Sequence, residues 1–201
     1  MSALDDIRRR FSEHAPKLRS LDARIRASVA AVLCAGTDDV RLLLIERAES
    51  EGDRWSGHIA FPGGRVDPAD PGPRHAAERE ALEETGVDLS RAEYLGRLDD
   101  LTGSVESVLV SAFVYAVSDP VPLALNAEVK QAFWMPLSEL CSPERHVERI
   151  FPYAGQEIGV PAIRVLERAE PVLWGITYRF LEMLLDVIGG DIPRMPWRSD
   201  L

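Results

Sequence analysis

The sequence predicts an α+β fold in which helices cover a mixed β-sheet. Short apolar runs bounded by turn residues recur along the chain and are typical of strands. Two segments, one charged at residues 74–85 and one apolar within residues 171–190, have the spacing and stop signals of helices. No apolar run is long enough to cross a membrane as a helix.

The hydrophobic pattern predicts each element in turn. Strands are expected in a hairpin at 26–48 and at 59–61, 92–101, 107–118, 126–137, 146–155 and 156–166. Helices are expected at 4–14, 74–85, 137–140 and within 171–190. Proline and glycine predict loops between them, above all at residues 65–73. We assign residues 1–25 to a helical extension, 26–190 to the main domain and 191–201 to an irregular tail.

Composition narrows the classes of partner. The 201 residues carry 33 acidic and 23 basic side chains, a formal net charge of −10. This charge argues against bulk binding to nucleic acid or to an anionic membrane. The two cysteines, Cys34 and Cys141, are too few for a disulfide framework, and the charged N-terminus lacks the apolar core of a secretory signal. We therefore expect a cytoplasmic protein.

The helix expected at 74–85 carries an unusual group of carboxylates. Glu80, Glu83 and Glu84 follow the i, i+3, i+4 spacing, which puts like charges on one face near a helix end that is already negative. A charged helix face is usually only solvated, but here a divalent cation would remove the repulsion. Mg²⁺ and Mn²⁺ prefer oxygen ligands and often share them with substrate phosphates. The pattern favours a metal site for Mg²⁺ or Mn²⁺.

The carboxylates and an upstream glycine pair together resemble the Nudix box, G-x5-E-x7-R-E-U-x-E-E-x-G-U, where U is apolar. The matching positions are Gly64, Arg79, Glu80, Glu83, Glu84, Gly86 and Val87. Asp70 stands where the first box glutamate is expected, with eight residues instead of seven before Arg79. The extra residue falls in the loop before the helix.

The resemblance implies the Nudix fold, with a mixed sheet between helices and the box as a loop–helix–loop. It also implies hydrolysis of a nucleoside diphosphate linked to another group. Glu80 and Glu84 would bind the metal, Glu83 would be a further ligand or catalytic group, and the Gly63 carbonyl is often another ligand. Arg79 would orient the glutamates. Glu128, in a loop before a strand, is a candidate base or ligand, or else a plain loop carboxylate.

A narrower resemblance concerns the substrate. The segment LLLIERAESEGDRWSGHIAFPGGRVDPAD is similar to the region before the box in coenzyme A pyrophosphatases. This similarity implies a substrate site whose candidate residues include Arg47, Arg54, Phe61 and Gly64. The two arginines are candidates to bind phosphates or else plain surface charges. Trp55, in the same segment, is a further candidate that would stack on an adenine or else pack against the protein. The spacing of the two arginines and the DRWSGH loop differ from that subfamily.

Three other functions remain open at this point. The chain is also compatible with a Nudix hydrolase for another nucleotide, such as a dinucleotide, nucleotide sugar, ADP-ribose or nucleoside triphosphate. A nucleotide-binding Nudix domain without catalysis is a second alternative, and a structural domain with an acidic helix is a third. The helices at the two ends of the chain, outside the minimal fold, suggest a homodimer.

Overall fold

The computed structural model describes residues 3–20, 25–36, 38–50, 56–103, 108–153 and 156–193. Its helices are α1 (Ala3–Glu13), α2 (Pro73–Thr85), α3 (Leu137–Cys141) and α4 (Gly175–Ile188). Its strands are β1 (Ile25–Ala35), β2 (Val40–Arg47), β3 (Ile59–Ala60), β4 (Gly63–Arg65), β5 (Glu93–Arg97), β6 (Leu101–Thr102), β7 (Val108–Val117), β8 (Val129–Pro136), β9 (His146–Tyr153), β10 (Gln156–Ile163) and β11 (Leu173–Trp174). The predicted α+β class is confirmed, and the elements follow the predicted order.

The main sheet is mixed, as expected. Its order is β3-β2-β1-β7-β5, with β8 paired to β2, β4 to β1 and β6 to β7. β1 and β7 are parallel, whereas the other pairs are antiparallel. Parallel neighbours require a crossover connection, and α2 lies in that connection. The predicted hairpin at 26–48 is the antiparallel pair β1–β2. A second sheet has the order β11-β10-β9.

Alternation along β1 divides the apolar side chains between two sides of the main sheet. Ala30 and Val32 belong to a cluster with Ala77 and Ala81 of α2. Ala31 and Leu33 belong to a larger cluster that contains the buried side chains of α1 and α4. The sheet is therefore covered by helices on both faces, and α2, on one face, carries the three glutamates of the box.

Gly63 and Gly64 lie in the short strand β4, which was not among the predicted strands. Gly63 pairs with Val29 and Gly64 with Ser28. Gly63 has φ +156°, and a Cβ there would lie 2.3 Å from the carbonyl oxygen of Ser28. Since this obstacle is backbone, only glycine fits, and β4 can lie directly against β1.

The N-terminal helix joins the same core as the rest of the chain. Leu4, Ile7 and Phe11 are 4–6% exposed and lie in the cluster that includes α4. A Cβ on Gly96 of β5 would lie 2.9 Å from the Phe11 ring. The division into an extension, a domain and a tail stays a prediction, and most of the tail lies outside the described residues. None of the described helices is long and apolar enough to cross a membrane.

Candidate functional site

The helix α2 presents its three box glutamates in different environments. It ends, as predicted, at Gly86, which is left-handed with φ 74° and donates its N–H to the carbonyl of Leu82. Glu84 and Glu80 have side chains that are 1% and 14% exposed, whereas that of Glu83 is 53% exposed. Each helical residue turns by about 100°, so positions i and i+4 face β4 together and position i+3 lies at the rim.

Glu84 is the most buried of these carboxylates. Its Oε2 accepts a hydrogen bond of 2.8 Å from the N–H of Gly63. Its Oε1 lies 3.7 Å from Nη1 of Arg47 and has no hydrogen-bond partner among the described residues. The pKa of Glu84 is raised to about 7, mainly by burial and also by the negative charges of Glu80 and Glu128, while the Gly63 hydrogen bond and Arg47 act in the opposite direction. The Oε1 atom of Glu84 is therefore available to a cation or to a further hydrogen-bond donor.

Glu80 occupies space that a glycine provides. A Cβ on Gly64 would lie 2.5 Å from the Glu80 carboxylate. Burial raises the pKa of Glu80, and the charges of Glu83 and Glu128 act in the same direction, while the guanidinium of Arg79 lowers it. Gly64, predicted to contact substrate, therefore makes room for a carboxylate of the box.

Arg79 connects the loop to the helix. Its guanidinium donates two hydrogen bonds of 3.1 Å to Asp70, and further bonds to Glu80 at 2.9 Å, Glu83 at 3.0 Å and the carbonyl of Arg65 at 3.1 Å. This pairing lowers the pKa of Asp70 and raises that of Arg79. Asp70, whose role the sequence left open, is the bidentate partner of the box arginine.

Glu128 lies directly before β8, and its charge acts on the same carboxylates. A bulge between Glu46 and Arg47 shifts the β2–β8 register, and the carbonyl of Glu128 accepts a 2.8 Å hydrogen bond from the N–H of Ala48. The exposed Glu128 side chain is close enough for its charge to raise the pKa values of Glu80 and Glu84. The structure therefore brings together two carboxylates of α2, those of Glu80 and Glu84, with the carboxylate of Glu128.

In the structure, these carboxylates do not form a complete set of ligands around one point. Among the described residues, no three His, Cys, Asp or Glu side chains are placed to hold a metal ion. The reason is visible in their partners, because Arg79 binds Glu80 and Glu83 and a backbone N–H binds Glu84. The donor set still fits a hard cation, since a buried oxygen of Glu84 has no hydrogen-bond partner among the described residues, and burial and neighbouring carboxylates raise the pKa of Glu84.

Two of the other predicted substrate residues, Arg47 and Phe61, lie in different environments. Arg47 is 26% exposed and lies beside Glu84. Phe61 is 1% exposed and belongs to the main hydrophobic core, so its side chain is covered by the protein itself. We therefore leave Phe61 out of the proposed substrate site. Arg54 and Trp55 lie outside the described residues.

One buried carboxylate near the site was not anticipated. Glu46, next to Arg47 on β2, is 1% exposed and is surrounded by cationic and amide groups. The signal that points to it is a charged residue at an inward position of the apolar strand LLLIER. Alternation along the strand would have placed it among core positions.

Comparison with known families agrees with this geometry. The NUDIX domain family matches residues 24–154, which contain the main sheet and α2. The chain belongs to the Nudix family. The predicted family and fold are therefore confirmed, and the α2 residues discussed above are those of its Nudix box.

Two related proteins show how far the similarity extends. An uncharacterized protein of Schizosaccharomyces pombe is 30% identical over 90% of this chain. The chain spans only 58% of that protein's length. The mitochondrial coenzyme A diphosphatase of Homo sapiens is 28% identical over 85% of this chain and 75% of its own length.

A solved structure extends the likeness to almost the whole fold. The MutT/nudix family protein of Enterococcus faecalis has a TM-score of 0.54 and covers 94% of this chain and 80% of its own. Its sequence identity is 16%, so the likeness concerns the fold alone.

Proposed function

We propose that the chain is a divalent-metal-dependent pyrophosphohydrolase that cleaves the pyrophosphate bond of a nucleoside diphosphate derivative. The observation that carries this proposal is the buried Oε1 of Glu84, which lacks a hydrogen-bond partner among the described residues. It lies in the Nudix box, close to the carboxylates of Glu80 and Glu128. A buried carboxylate oxygen without a partner is costly unless another group binds it.

Mg²⁺ or Mn²⁺ is the group that this donor set suits best. Glu80 and Glu84 would hold the ion, and Glu128, Glu83 and the carbonyl of Gly63 are further candidates. A bound divalent cation neutralises charge on pyrophosphate oxygens and lowers the pKa of a coordinated water. The choice between Mg²⁺ and Mn²⁺ belongs to the proposal.

The chain's own residues have separate tasks in this proposal. Arg79, anchored by Asp70, holds Glu80 by a hydrogen bond and keeps its carboxylate in the space above Gly64. Glu128 or Glu83, both exposed, accepts the proton of the attacking water. Arg47 stabilises negative charge on a phosphate oxygen beside Glu84.

Coenzyme A or a derivative is the substrate that we propose. The name of the human relative, a coenzyme A diphosphatase, supports this choice, as does the upstream segment that includes Arg47. Arg54 and Trp55 remain candidate contacts on the same segment. The alternative is another nucleotide that carries a pyrophosphate, because the box chemistry is the same for all of them. The cytoplasmic location also stays a prediction.

A substrate panel with two box variants tests the proposal. The protein is incubated with saturating Mg²⁺ or Mn²⁺ and with coenzyme A, NADH, ADP-ribose, diadenosine polyphosphates or nucleoside triphosphates, and the products are identified by mass. We expect Glu80→Gln and Glu84→Gln to lower turnover by about a hundredfold or more without unfolding the protein, because each removes a charged metal ligand.

A control variant on the same helix distinguishes loss of a metal ligand from loss of any negative charge on α2. Glu78 binds Arg74 and Tyr115 on another side of α2, so Glu78→Gln is expected to keep most of the turnover. Near-wild-type turnover in either box variant would contradict the metal site. Nucleotide binding without any turnover by the wild type would favour a non-catalytic Nudix domain.

A further inference from the structure

The buried carboxylate of Glu46 holds two cations together. Its Oε1 lies 2.9 Å from Nζ of Lys130, and its Oε2 accepts hydrogen bonds from Arg168 and, at 2.6 Å, from Nε2 of Gln131. Lys130 and Gln131 belong to β8, whereas Arg168 lies between β10 and β11. Three separate parts of the chain therefore meet at one carboxylate.

The two cations retain charge and donors that Glu46 does not use. One carboxylate neutralises one of them, so the group of Glu46, Lys130 and Arg168 has a net charge of about +1. The side chains of Lys130 and Arg168 are 49% and 46% exposed. An ammonium has three donors and a guanidinium five, and only one or two of these are needed for Glu46. The remaining donors can bind a ligand in solvent.

Among the described residues, the two acids that flank Arg168 in sequence lie beside other arginines. Glu167 and Glu170 flank Arg168 in sequence, but they lie 3.6 Å from Arg145 and 4.0 Å from Arg149, respectively. Both glutamates are largely exposed, at 97% and 63% of the side chain. Arg168 instead turns toward the buried Glu46. We call Lys130 and Arg168, with Glu46 beneath them, the cation pair.

The cation pair lies next to residues of the Nudix site on two strands, β2 and β8. On β2, Glu46 directly precedes Arg47, and the guanidinium of Arg47 lies 3.7 Å from the carboxylate of Glu84. On β8, Lys130 is two residues after Glu128. Glu46 continues the alternation of Leu42 and Leu44, which belong to the cluster that contains α1 and α4, so Glu46 lies on the face away from α2. β2 ends at Arg47, so Glu46 and Arg47 lie at the same end of this strand, beside the site.

We propose that the cation pair binds a phosphate monoester of the substrate that is separate from its pyrophosphate. The proposal rests on the proposed function, because it assigns a second contact to the same nucleotide. A phosphate monoester carries a charge near −2 at neutral pH and accepts charge-assisted hydrogen bonds. Glu46 orders both cations before the ligand arrives, which lowers the entropic cost of binding.

Binding of two nucleotides that differ by one phosphate tests the cation pair without turnover. Affinities for adenosine 3′,5′-bisphosphate and adenosine 5′-monophosphate are measured by calorimetry with Mg²⁺ in the wild type, Lys130→Gln and Arg168→Gln. We expect the wild type to prefer the bisphosphate by about tenfold, equivalent to one charge-assisted contact. Each variant is expected to reduce this preference to about one, with affinity for the monophosphate unchanged.

Arg41→Gln is the matched control. Arg41 lies on β2 five residues before Glu46, is exposed and is not part of the cation pair. Its loss removes one positive charge and is expected to leave the bisphosphate preference intact. Circular dichroism and thermal unfolding establish that all variants are folded. Equal wild-type affinities for the two nucleotides, or a preference that survives in both variants, would overturn the proposal.

Turnover measurements test the role of the cation pair independently of the proposed function. With coenzyme A and 3′-dephospho-coenzyme A as substrates, Lys130→Gln is expected to raise KM about tenfold for the first only, with kcat unchanged. Equal wild-type KM values for both substrates overturn the cation pair and leave hydrolysis standing. A bisphosphate preference that depends on Lys130, in a protein that hydrolyses no substrate of the panel, supports the cation pair and overturns the proposed function.

Discussion

Gly64 shows how one missing side chain can serve a site. The position has no need of a left-handed backbone, since its φ is outside that region, but the Glu80 carboxylate fills the space that a Cβ would take. The atom in conflict is the end of a flexible side chain, so a substitution moves Glu80 rather than the backbone. The glycine therefore acts on the site more than on the fold.

We expect Gly64→Ala to keep the fold but to weaken Mn²⁺ binding by about tenfold, because Glu80 is displaced. Calorimetric titration with Mn²⁺ measures the affinity, and thermal unfolding measures the stability. Gly72→Ala is the control, as a Cβ at Gly72 meets nothing within 4 Å. Wild-type affinity in Gly64→Ala would show that Glu80 does not bind the metal.

Glu84 is expected to make the metal-free protein sensitive to pH. Burial raises its pKa in the folded state to about 7, from an ordinary value of 4.5. The folded state thus favours the neutral form, and the contribution to stability is complete below about pH 4.5 and lost as pH rises through about 7. A metal ion that binds the ionised form would act in the opposite direction above this range.

The corresponding measurement compares wild type with Glu84→Gln in the presence of a chelator. Between about pH 4.5 and pH 7.5, we expect the wild type to lose about 1–3 kcal/mol of unfolding free energy relative to the variant. Glu83→Gln, at an exposed position, is the control and should run parallel to wild type. A constant difference between wild type and Glu84→Gln over this range would be inconsistent with a raised pKa.

At the scale of elements, the loop after β4 is joined to α2 by one arginine. Arg79 is bound by Asp70 from the loop and by Glu80 and Glu83 from the helix. The Asp70 side chain is 8% exposed and accepts two hydrogen bonds from Arg79 and one from the N–H of Asp67, whereas that of Glu83 is 53% exposed and accepts one from Arg79. The two carboxylates therefore differ in what they contribute, although they share a partner.

We expect Asp70→Asn to destabilise the protein by about 1–2 kcal/mol, because a bidentate and partly buried contact is lost. The same change at Glu83 is expected to cost less than about 0.5 kcal/mol, as for an exposed ion pair. Urea unfolding of both variants at pH 7 gives the comparison. Equal losses would mean that the loop is held by contacts other than Asp70.

For the whole molecule, a metal that binds only the folded state must stabilise it. At a free Mn²⁺ concentration of a hundred times the dissociation constant, the gain is about 2.7 kcal/mol. We expect the unfolding temperature to rise with the logarithm of Mn²⁺ concentration and to return on addition of a chelator. Glu84→Gln serves as the control and should respond weakly. A wild-type temperature that does not change with Mn²⁺ would favour a structural domain with an acidic helix.

The homodimer remains a prediction, but the structure weakens the argument that was based on the N-terminal helix. The apolar side chains of α1 are buried in the chain's own core, together with those of α4. An apolar helix face that is already covered does not need a partner subunit. The exposed surface of α1 carries ion pairs such as those of Arg8 with Asp5 and Glu93.

Local patterns were sufficient for several features of the fold and site. The helix bearing the box, its stop at Gly86 and the hairpin of β1 and β2 depend on spacing within a few residues. Other features could not be obtained in this way. Gly63–Arg65 was not recognised as a strand, because its pairing depends on contact with Ser28 and Val29. Phe61 was assigned to the substrate, whereas packing places it in the core.

The sequence by itself determined the family, the order of the elements and the residues of the Nudix box, because all of these are encoded in local spacing. The tertiary structure alone decided which box carboxylates are buried and that Asp70 holds Arg79. It also decided that Arg47 lies beside Glu84 and that the charge of Glu128 acts on Glu84. It also placed Glu46 against Gln131 and Arg168, 85 and 122 residues away in sequence. Such contacts depend on strand pairing, a bulge and burial, which arise only when distant segments pack together.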